Sequence, residues 1–219
     1  MKKIAVIVAG GNGTRMNSNI PKQFLLVHGK PILYYTISTF LKAFHDIEIV
    51  LVLPEAYLNK GQELMSNYFQ ENHIIVTAGG HTRFHSVQNG LKYVDDECIV
   101  FVHDAVRCLI SIELLKRCYE AAIKYGSAIP IIASKDSLRI ADGNHFSVMD
   151  RNSVKLVQTP QVFLSKNILP AFHSDYAESF TDEATVVESS GVHLHFVEGE
   201  DNNIKITTPI DLKIAELLI

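Results

Sequence analysis

Short apolar runs alternate along this chain with longer amphipathic stretches. Residues 4–8, 47–53, 74–77, 99–103 and 129–133 are brief and rich in β-branched side chains, the pattern of buried parallel strands. Between them lie helical periodicities over 31–44, 56–69 and 83–94. In the next helical stretch Leu114, Leu115, Cys118, Tyr119 and Ala122 fall on one face. Repeated strand–helix alternation predicts an α/β fold, a mostly parallel sheet with helices on both faces.

The rhythm breaks after Ala133. Residues 134–159 are polar, with a turn signal at Ala141-Asp142-Gly143-Asn144, and read as a hairpin-like excursion. Order returns with helices near 166–172 and 182–190 and a strand over 193–198. A last helix starts at Thr208-Pro209, with Thr as N-cap and Pro in the first turn. No repeat or linker interrupts the chain, so the expectation is one domain over 1–219 with one excursion.

Composition narrows the function. A net charge of -4 argues against nucleic acid, which calls for a basic face, but leaves anionic small molecules open. Cys98, Cys108 and Cys118 show no CxxC spacing and read as reduced thiols in strand and helix positions. The 10 histidines form no metal motif. The apolar stretch after Met1-Lys2-Lys3 is too short for a signal peptide or a membrane span, and a cytoplasmic protein is expected.

The candidate chemistry sits where the first strand ends, in Ala9-Gly10-Gly11-Asn12-Gly13-Thr14-Arg15-Met16. Ligands of open α/β sheets bind at the carboxyl ends of strands, and glycines there let backbone N–H groups approach phosphate oxygens. The GxxxxGK[ST] of a P-loop is absent. A dinucleotide loop needs a helix directly after the glycines, and Asn17-Ser18-Asn19-Ile20-Pro21 interrupts one. What remains is a loop bearing two cations, Arg15 and Lys22, suited to a triphosphate whose charge rises in the transition state. Asp104, at the end of another strand, is a second candidate, because a buried carboxylate needs a partner.

Taken with Pro21-Lys22-Gln23-Phe24, this loop resembles the signature of the 2-C-methyl-D-erythritol 4-phosphate cytidylyltransferases. The resemblance continues through Gly79-Gly80-x-x-Arg83-x-x-Ser86-Val87, His103-Asp104-Ala105-Val106-Arg107, Lys135-Asp136-Ser137 and Asp150-Arg151. It extends to Gln158-Thr159-Pro160-Gln161-x-Phe163, Thr181-Asp182-Glu183-Ala184 and Asn202-Asn203-Ile204-Lys205-Ile206-Thr207.

The resemblance implies a Rossmann-like nucleotidyltransferase sheet with a protruding β-arm. It also implies transfer of CMP from CTP to a small sugar-alcohol phosphate, with Mg²⁺ held mainly by the triphosphate and helped by Asp104. Arg15, Lys22 and Lys205 would meet the α-phosphate charge. Ala9, Gly10, Gly11, Gly13, Gly80 and Ser86 would hold the nucleotide, and Asp104 and Ala105 the ribose and Mg²⁺–triphosphate region. Arg83 either binds nucleotide or caps its helix. Arg107, Ser137, Arg151 and Thr159 would grip the acceptor. Residues 134–159 would be an arm exchanged across a homodimer, carrying Arg151 into the partner's site.

Cys108 stands where the family has proline, Ser137 where threonine is usual, and His81 where an acidic residue is frequent. The related ribitol 5-phosphate cytidylyltransferases share almost every motif and are the alternative reading.

Overall fold

The computed structural model describes residues 1–9 and 20–219. In chain order the elements are β1 (Lys2–Val8), β2 (Leu26–Val27), β3 (Lys30–Pro31), α1 (Ile32–Ala43), β4 (Ile47–Leu53), α2 (Leu58–Tyr68), β5 (Ile74–Ala78) and α3 (Arg83–Leu91). They continue with β6 (Cys98–Asp104), α4 (Ile112–Tyr125), β7 (Ser127–Ala133), β8 (Leu138–Asp142), β9 (His145–Met149), β10 (Lys155–Val157) and β11 (Gln161–Leu164). The last are α5 (Ser165–Ala171), α6 (Glu183–Ser189), β12 (Phe196–Glu198) and α7 (Pro209–Leu218).

The period of two along each strand sorts its side chains onto two faces, and both faces are covered. Ala5 and Ile7 of β1, Ile49, Leu51 and Leu53 of β4, and Ile99 and Phe101 of β6 pack with Leu33, Ile37 and Phe40 of α1 and Leu114, Leu115 and Cys118 of α4. The alternate residues Ile4, Val6 and Val8, Val50 and Val52, and Val100 and Val102 pack with Phe84 and Val87 of α3, Ile168 of α5, and Val186 and Val187 of α6. A strand buried on both sides is apolar throughout, hence the continuous runs in the sequence. The helices start and stop on ordinary signals. Ser111 caps α4 by accepting from Leu114 N at 2.9 Å, and Thr208 and Asp211 cap α7 reciprocally.

Strands β6, β1, β4 and β5 are parallel neighbours in that order. On the other side β11 runs antiparallel between β6 and β7, and β12 lies parallel to β7. Lys155–Val157 also pairs with β7, antiparallel, with Val157 opposite Ile131, while Val162 is opposite Ala128. Five steps on one chain thus face three on the other; Gln158 N still donates to Pro130 O at 2.8 Å, and the extra residues Thr159 and Pro160 bulge toward the end of β6.

The sequence-based elements are present, most with ends shifted by one to three residues. The expected strand over 193–198 is the shorter β12, and the polar stretch 134–159 is not one excursion. Its middle, β8 and β9, is a free two-stranded hairpin turning at Gly143, whose φ of 57° is a left-handed conformation. Its end belongs to the main sheet. The antiparallel β11 was not anticipated, nor was the small β2–β3 hairpin.

The three cysteines are free and buried, with Cys98 in a strand and Cys118 in a helix as expected, but Cys108 in the loop after β6. Burial pushes the Cys108 and Cys118 thiols up to about 12, consistent with packing roles. Among the described residues no helix is long and apolar enough to cross a membrane.

Candidate active site

The parallel strands β1, β4, β5 and β6 all end at one edge of the sheet, and the ladder continues past their ends. Ala9 N donates to Val52 O at 2.9 Å, Gly79 N to Leu53 O at 2.8 Å and Ala105 N to Val8 O at 3.0 Å. Ala9, Gly79-Gly80 and Asp104-Ala105 are therefore drawn side by side. Ala9 is further fixed by the buried Gln23, whose Nε2 donates to Ala9 O at 2.7 Å. The carbonyl of Ala105 accepts from Thr36 Oγ1 at 2.7 Å. Gly10, Gly11, Gly13 and Arg15, expected at this edge, lie outside the described residues.

The Gly79-Gly80 turn is tightly specified. A Cβ on Gly80 would stand 2.4 Å from His85 Cβ, so no side chain fits. Gly80 N donates to Ser86 Oγ at 3.1 Å, and Ser86 Oγ donates to Thr82 O at 2.9 Å. Thr82 caps α3, its hydroxyl accepting from His85 N at 3.3 Å. The buried Ser86 hydroxyl thus shapes the turn, leaving the backbone of Gly80 to present the edge.

At the centre is Asp104, 7% exposed at the end of β6. Its Oδ1 accepts from Arg83 Nε and Nη2 at 3.2 and 3.1 Å, and its Oδ2 from Lys205 Nζ at 2.8 Å. Arg107 Nε stands 3.8 Å from Oδ2, an ion pair too long for a hydrogen bond, while Arg107 Nη1 donates to Asn203 O at 2.7 Å. Burial alone would raise the Asp104 carboxyl. Arg83, then Lys205 and Arg107, outweigh it and hold the group well below the usual carboxylate range. Burial by itself lowers the Arg83 guanidinium, but Glu183 and Asp104 reverse that and raise it.

Lys22 is tied across the chain to the segment that carries Lys205. Lys22 follows Pro21 in a single 3₁₀ turn, Lys22–Phe24, and its Nζ donates to Ile206 O at 3.0 Å. Ile206 N donates to Val106 O at 3.0 Å, which threads the segment along the loop after β6 and brings the neighbouring Lys205 onto Asp104. The buried Gln158 and Asn203 lock this segment from behind. Gln158 Nε2 donates to Glu200 O at 2.7 Å and Asn203 Nδ2 to Thr159 O at 2.8 Å. Around Asp104, three cations (Arg83, Arg107, Lys205) face two carboxylates (Asp104, Glu183). The excess is positive, with Lys22 close by, and suits a polyanion.

Thr159 is buried beneath this cluster. Its hydroxyl accepts from Asp104 N at 3.1 Å and lies 3.1 Å from His103 Nδ1. His103 Nε2 lies 3.3 Å from Arg107 O, the tautomer in which Nε2–H donates and Nδ1 accepts from Thr159. Burial lowers the His103 imidazole to about 3, so the ring is neutral and its role is to brace the turn to Arg107. Ser137 and Arg151 are elsewhere, exposed at the foot of the β8–β9 hairpin. Arg151 Nη1 donates to Lys135 O at 3.1 Å, and Lys135 pairs with Asp201 at 2.7 Å. Within one chain the expected residues thus form two groups, one around Asp104 and one at the hairpin.

Glu183 was not singled out as a site residue from the sequence. A glutamate in the first turn of a helix is ordinary. Nothing in its spacing connects it to Arg83, although the match over Thr181-Asp182-Glu183-Ala184 marks the segment.

With both Glu183 oxygens taken by Arg83, Asp104 is the one carboxylate of the cluster left to consider, and a single carboxylate can contribute to a divalent site but not build one. Among the described residues no three His, Cys, Asp or Glu side chains gather to hold a metal. That donor set fits a hard cation that keeps its waters and takes most of its oxygens from phosphates, with Asp104 as the protein's contribution.

The model of the 2-C-methyl-D-erythritol 4-phosphate cytidylyltransferase family matches residues 3–219. The chain is 43% identical to the enzyme of that name from Bacteroides thetaiotaomicron and 45% identical to that from Phocaeicola vulgatus, over 100% of each chain. Among solved structures it resembles 4-diphosphocytidyl-2C-methyl-D-erythritol synthase of Anaerococcus prevotii, with a TM-score of 0.84 and 30% identity over 99% of this chain and 95% of that one. The Francisella tularensis 2-C-methyl-D-erythritol 4-phosphate cytidylyltransferase matches with a TM-score of 0.83 and 31% identity over 100% of both chains. On this combined ground of motif, fold and full-length similarity, the chain belongs to the 2-C-methyl-D-erythritol 4-phosphate cytidylyltransferase family.

Proposed function

We propose that this protein transfers the CMP group of CTP to 2-C-methyl-D-erythritol 4-phosphate and releases pyrophosphate. The observation that carries the reading is the buried Asp104 ringed by Arg83, Arg107 and Lys205 at the strand-end edge that Ala9 and the Gly79-Gly80 turn share.

The acceptor's phosphate oxygen attacks the α-phosphorus in line. A new P–O bond forms, the bond to the bridging oxygen breaks, and its electron pair leaves with pyrophosphate. The nucleophile is already an anion, so no general base is needed, and catalysis rests on positioning and charge. Arg15, Lys22 and Lys205 neutralise the charge that grows on the α-phosphate. Ala9, Gly10, Gly11, Gly13 and Gly80 hold the cytidine through backbone groups, with Ser86 setting the turn. Asp104 and Ala105 face the ribose and triphosphate region. Asp104 is the group that would hold Mg²⁺ from the protein side, and the bound ion would supply charge neutralisation on the triphosphate.

Arg107 and Thr159 serve the acceptor side of the same cluster, Thr159 by fixing Asp104 and His103. Ser137 and Arg151 reach the acceptor from the hairpin of a second subunit. The free hairpin supports this reading. Phe146 and Val148 on it are 63% and 75% exposed, apolar surface that a homodimer would cover. The protein works in the cytoplasm as a two-fold dimer of single-domain chains.

The nucleotide side is tested by pyrophosphate release with 2-C-methyl-D-erythritol 4-phosphate and each nucleoside triphosphate in turn. CTP with Mg²⁺ is expected to support turnover, UTP and ATP far less, and chelation of the metal to stop it. Equal rates with UTP overturn the assignment of the base site.

A further inference from the structure

Glu183 is 1% exposed, and the reaction as described gives it no part. A carboxylate so deeply buried is unfavourable unless it is paired. Both its oxygens are engaged by Arg83. Nη2 donates to Oε2 at 3.0 Å, and Nη1 donates to Oε1. The adjacent edge of the same guanidinium, sharing Nη2, holds Asp104 Oδ1 through Nε and Nη2. Because the guanidinium is a rigid planar fork, fixing one edge against Glu183 fixes where the other edge points.

Glu183 is itself anchored to the sheet. It stands in the first turn of α6, whose N-cap is Asp182. Gln161 of β11 grips that turn from both sides. Its Oε1 accepts from Ala184 N at 2.7 Å and its Nε2 donates to Asp182 Oδ2 at 2.9 Å. Gln161 lies opposite Val102 of β6, the strand that ends in Asp104. A closed circuit results, from β6 through Asp104, Arg83, Glu183, α6 and β11 back to β6. It leaves the Asp104 carboxylate gripped at Oδ1 from behind, and at Oδ2 by Lys205, which is 41% exposed at its side chain and faces out.

We propose that Glu183 is a positioning residue for the transfer: it holds Arg83, and through Arg83 sets the plane of the Asp104 carboxylate and the placement of Lys205. The inference rests on the nucleotidyl-transfer reading above. It assigns Arg83 to the carboxylates in preference to direct contact with nucleotide, since three of its nitrogens are already donated to them.

The test uses the full chain with CTP, Mg²⁺ and 2-C-methyl-D-erythritol 4-phosphate. Glu183→Gln keeps the shape and removes the charge. CTP sites per chain are counted by calorimetry, so that turnover is expressed per intact site and a misfolded fraction drops out. Expected are unchanged site numbers, a Kd for CTP within about threefold, and kcat per site lower by roughly 10–100-fold, the scale of an ångström's misplacement. Glu183→Asp, which restores the charge, should recover part of the loss. In the Arg83→Gln background, Glu183→Gln should remove little further, because it acts only through Arg83. Turnover per site within twofold of the unmodified protein, or losses that add in the double variant, overturns the proposal. If Glu183→Gln fails to fold, Glu183→Asp carries the same test: lowered kcat per site supports the role, and unchanged kcat refutes it. An unmodified protein that releases no pyrophosphate at all would refute instead the underlying assignment of the reaction.

Discussion

Lys205 Nζ donates to Asp104 Oδ2 at 2.8 Å, yet the two partners differ greatly in burial, with side-chain exposures of 41% and 9%. The pair therefore matters unequally to folding and to chemistry. Replacing Asp104 by alanine takes one of two carboxylates from Arg83 and the ion-pair partner from the largely buried Arg107. That should cost about 3–5 kcal/mol of stability. Lys205→Ala leaves Asp104 still paired with Arg83 and, at a half-exposed site, should cost at most about 1 kcal/mol. Denaturant unfolding of the two variants reads the difference, and pyrophosphate release should be lost in both. Equal destabilisation would contradict the burial argument.

His103 gives the fold a pH dependence. Its folded value near 3, set first by burial, lies below the ordinary 6.5. Below about pH 6.5 the unfolded chain binds a proton that the folded one refuses, so stability falls as pH drops from there toward 3. The slope reaches about 1.4 kcal/mol per pH unit. His103→Gln should flatten the stability curve between pH 4.5 and 6.5. Parallel curves for the two proteins would show that the ring is not held neutral.

The alternation of strands and helices was legible because both faces of the sheet are covered, making strands such as β4 continuously apolar from Ile49 to Leu53 while helices such as α4 keep one apolar stripe. β11 was not, because four residues, Gln-Val-Phe-Leu, carry no usable period and its neighbours β6 and β7 are contributed by earlier parts of the chain. β2 and β3 are two residues each, and their only signal is the left-handed pair His28-Gly29, with φ of 46° and 77°. In the site, motif order marked Asp104, Arg107 and Lys205. That Thr159 acts beneath Asp104, and that Glu183 reaches Arg83, are facts of tertiary packing that no local spacing encodes.

Lys22 donates to Ile206 O at 3.0 Å in this structure, beside Lys205. Meeting charge that is larger in the transition state than in bound CTP, it should affect kcat more than CTP binding. Lys22→Ala is expected to lower kcat roughly 10²–10³-fold, by analogy with loss of one oxyanion donor. Steady-state kinetics with CTP varied will show it; an unchanged kcat with a raised KM would mean that Lys22 binds ground state and transition state alike.

Arg151 reaches only the Lys135 carbonyl among the described residues and sits at the foot of the exposed hairpin. Acting in trans, it should allow complementation. Arg151→Ala and Lys22→Ala homodimers should each be nearly inactive, whereas their hybrid contains one site with an intact core and an intact hairpin. Co-refolding should restore up to about half the activity per hybrid dimer, by the symmetry of two exchanged arms. A hybrid that forms and stays inactive would place Arg151 outside the partner's site.

The acceptor is the most direct test of the whole account. Pyrophosphate release should be measured with CTP and Mg²⁺ against 2-C-methyl-D-erythritol 4-phosphate and ribitol 5-phosphate at matched concentrations, with the cytidylylated product identified by mass. Turnover of 2-C-methyl-D-erythritol 4-phosphate is expected, with formation of 4-diphosphocytidyl-2-C-methyl-D-erythritol, and much slower reaction of ribitol 5-phosphate. Equal or faster turnover of ribitol 5-phosphate would contradict it.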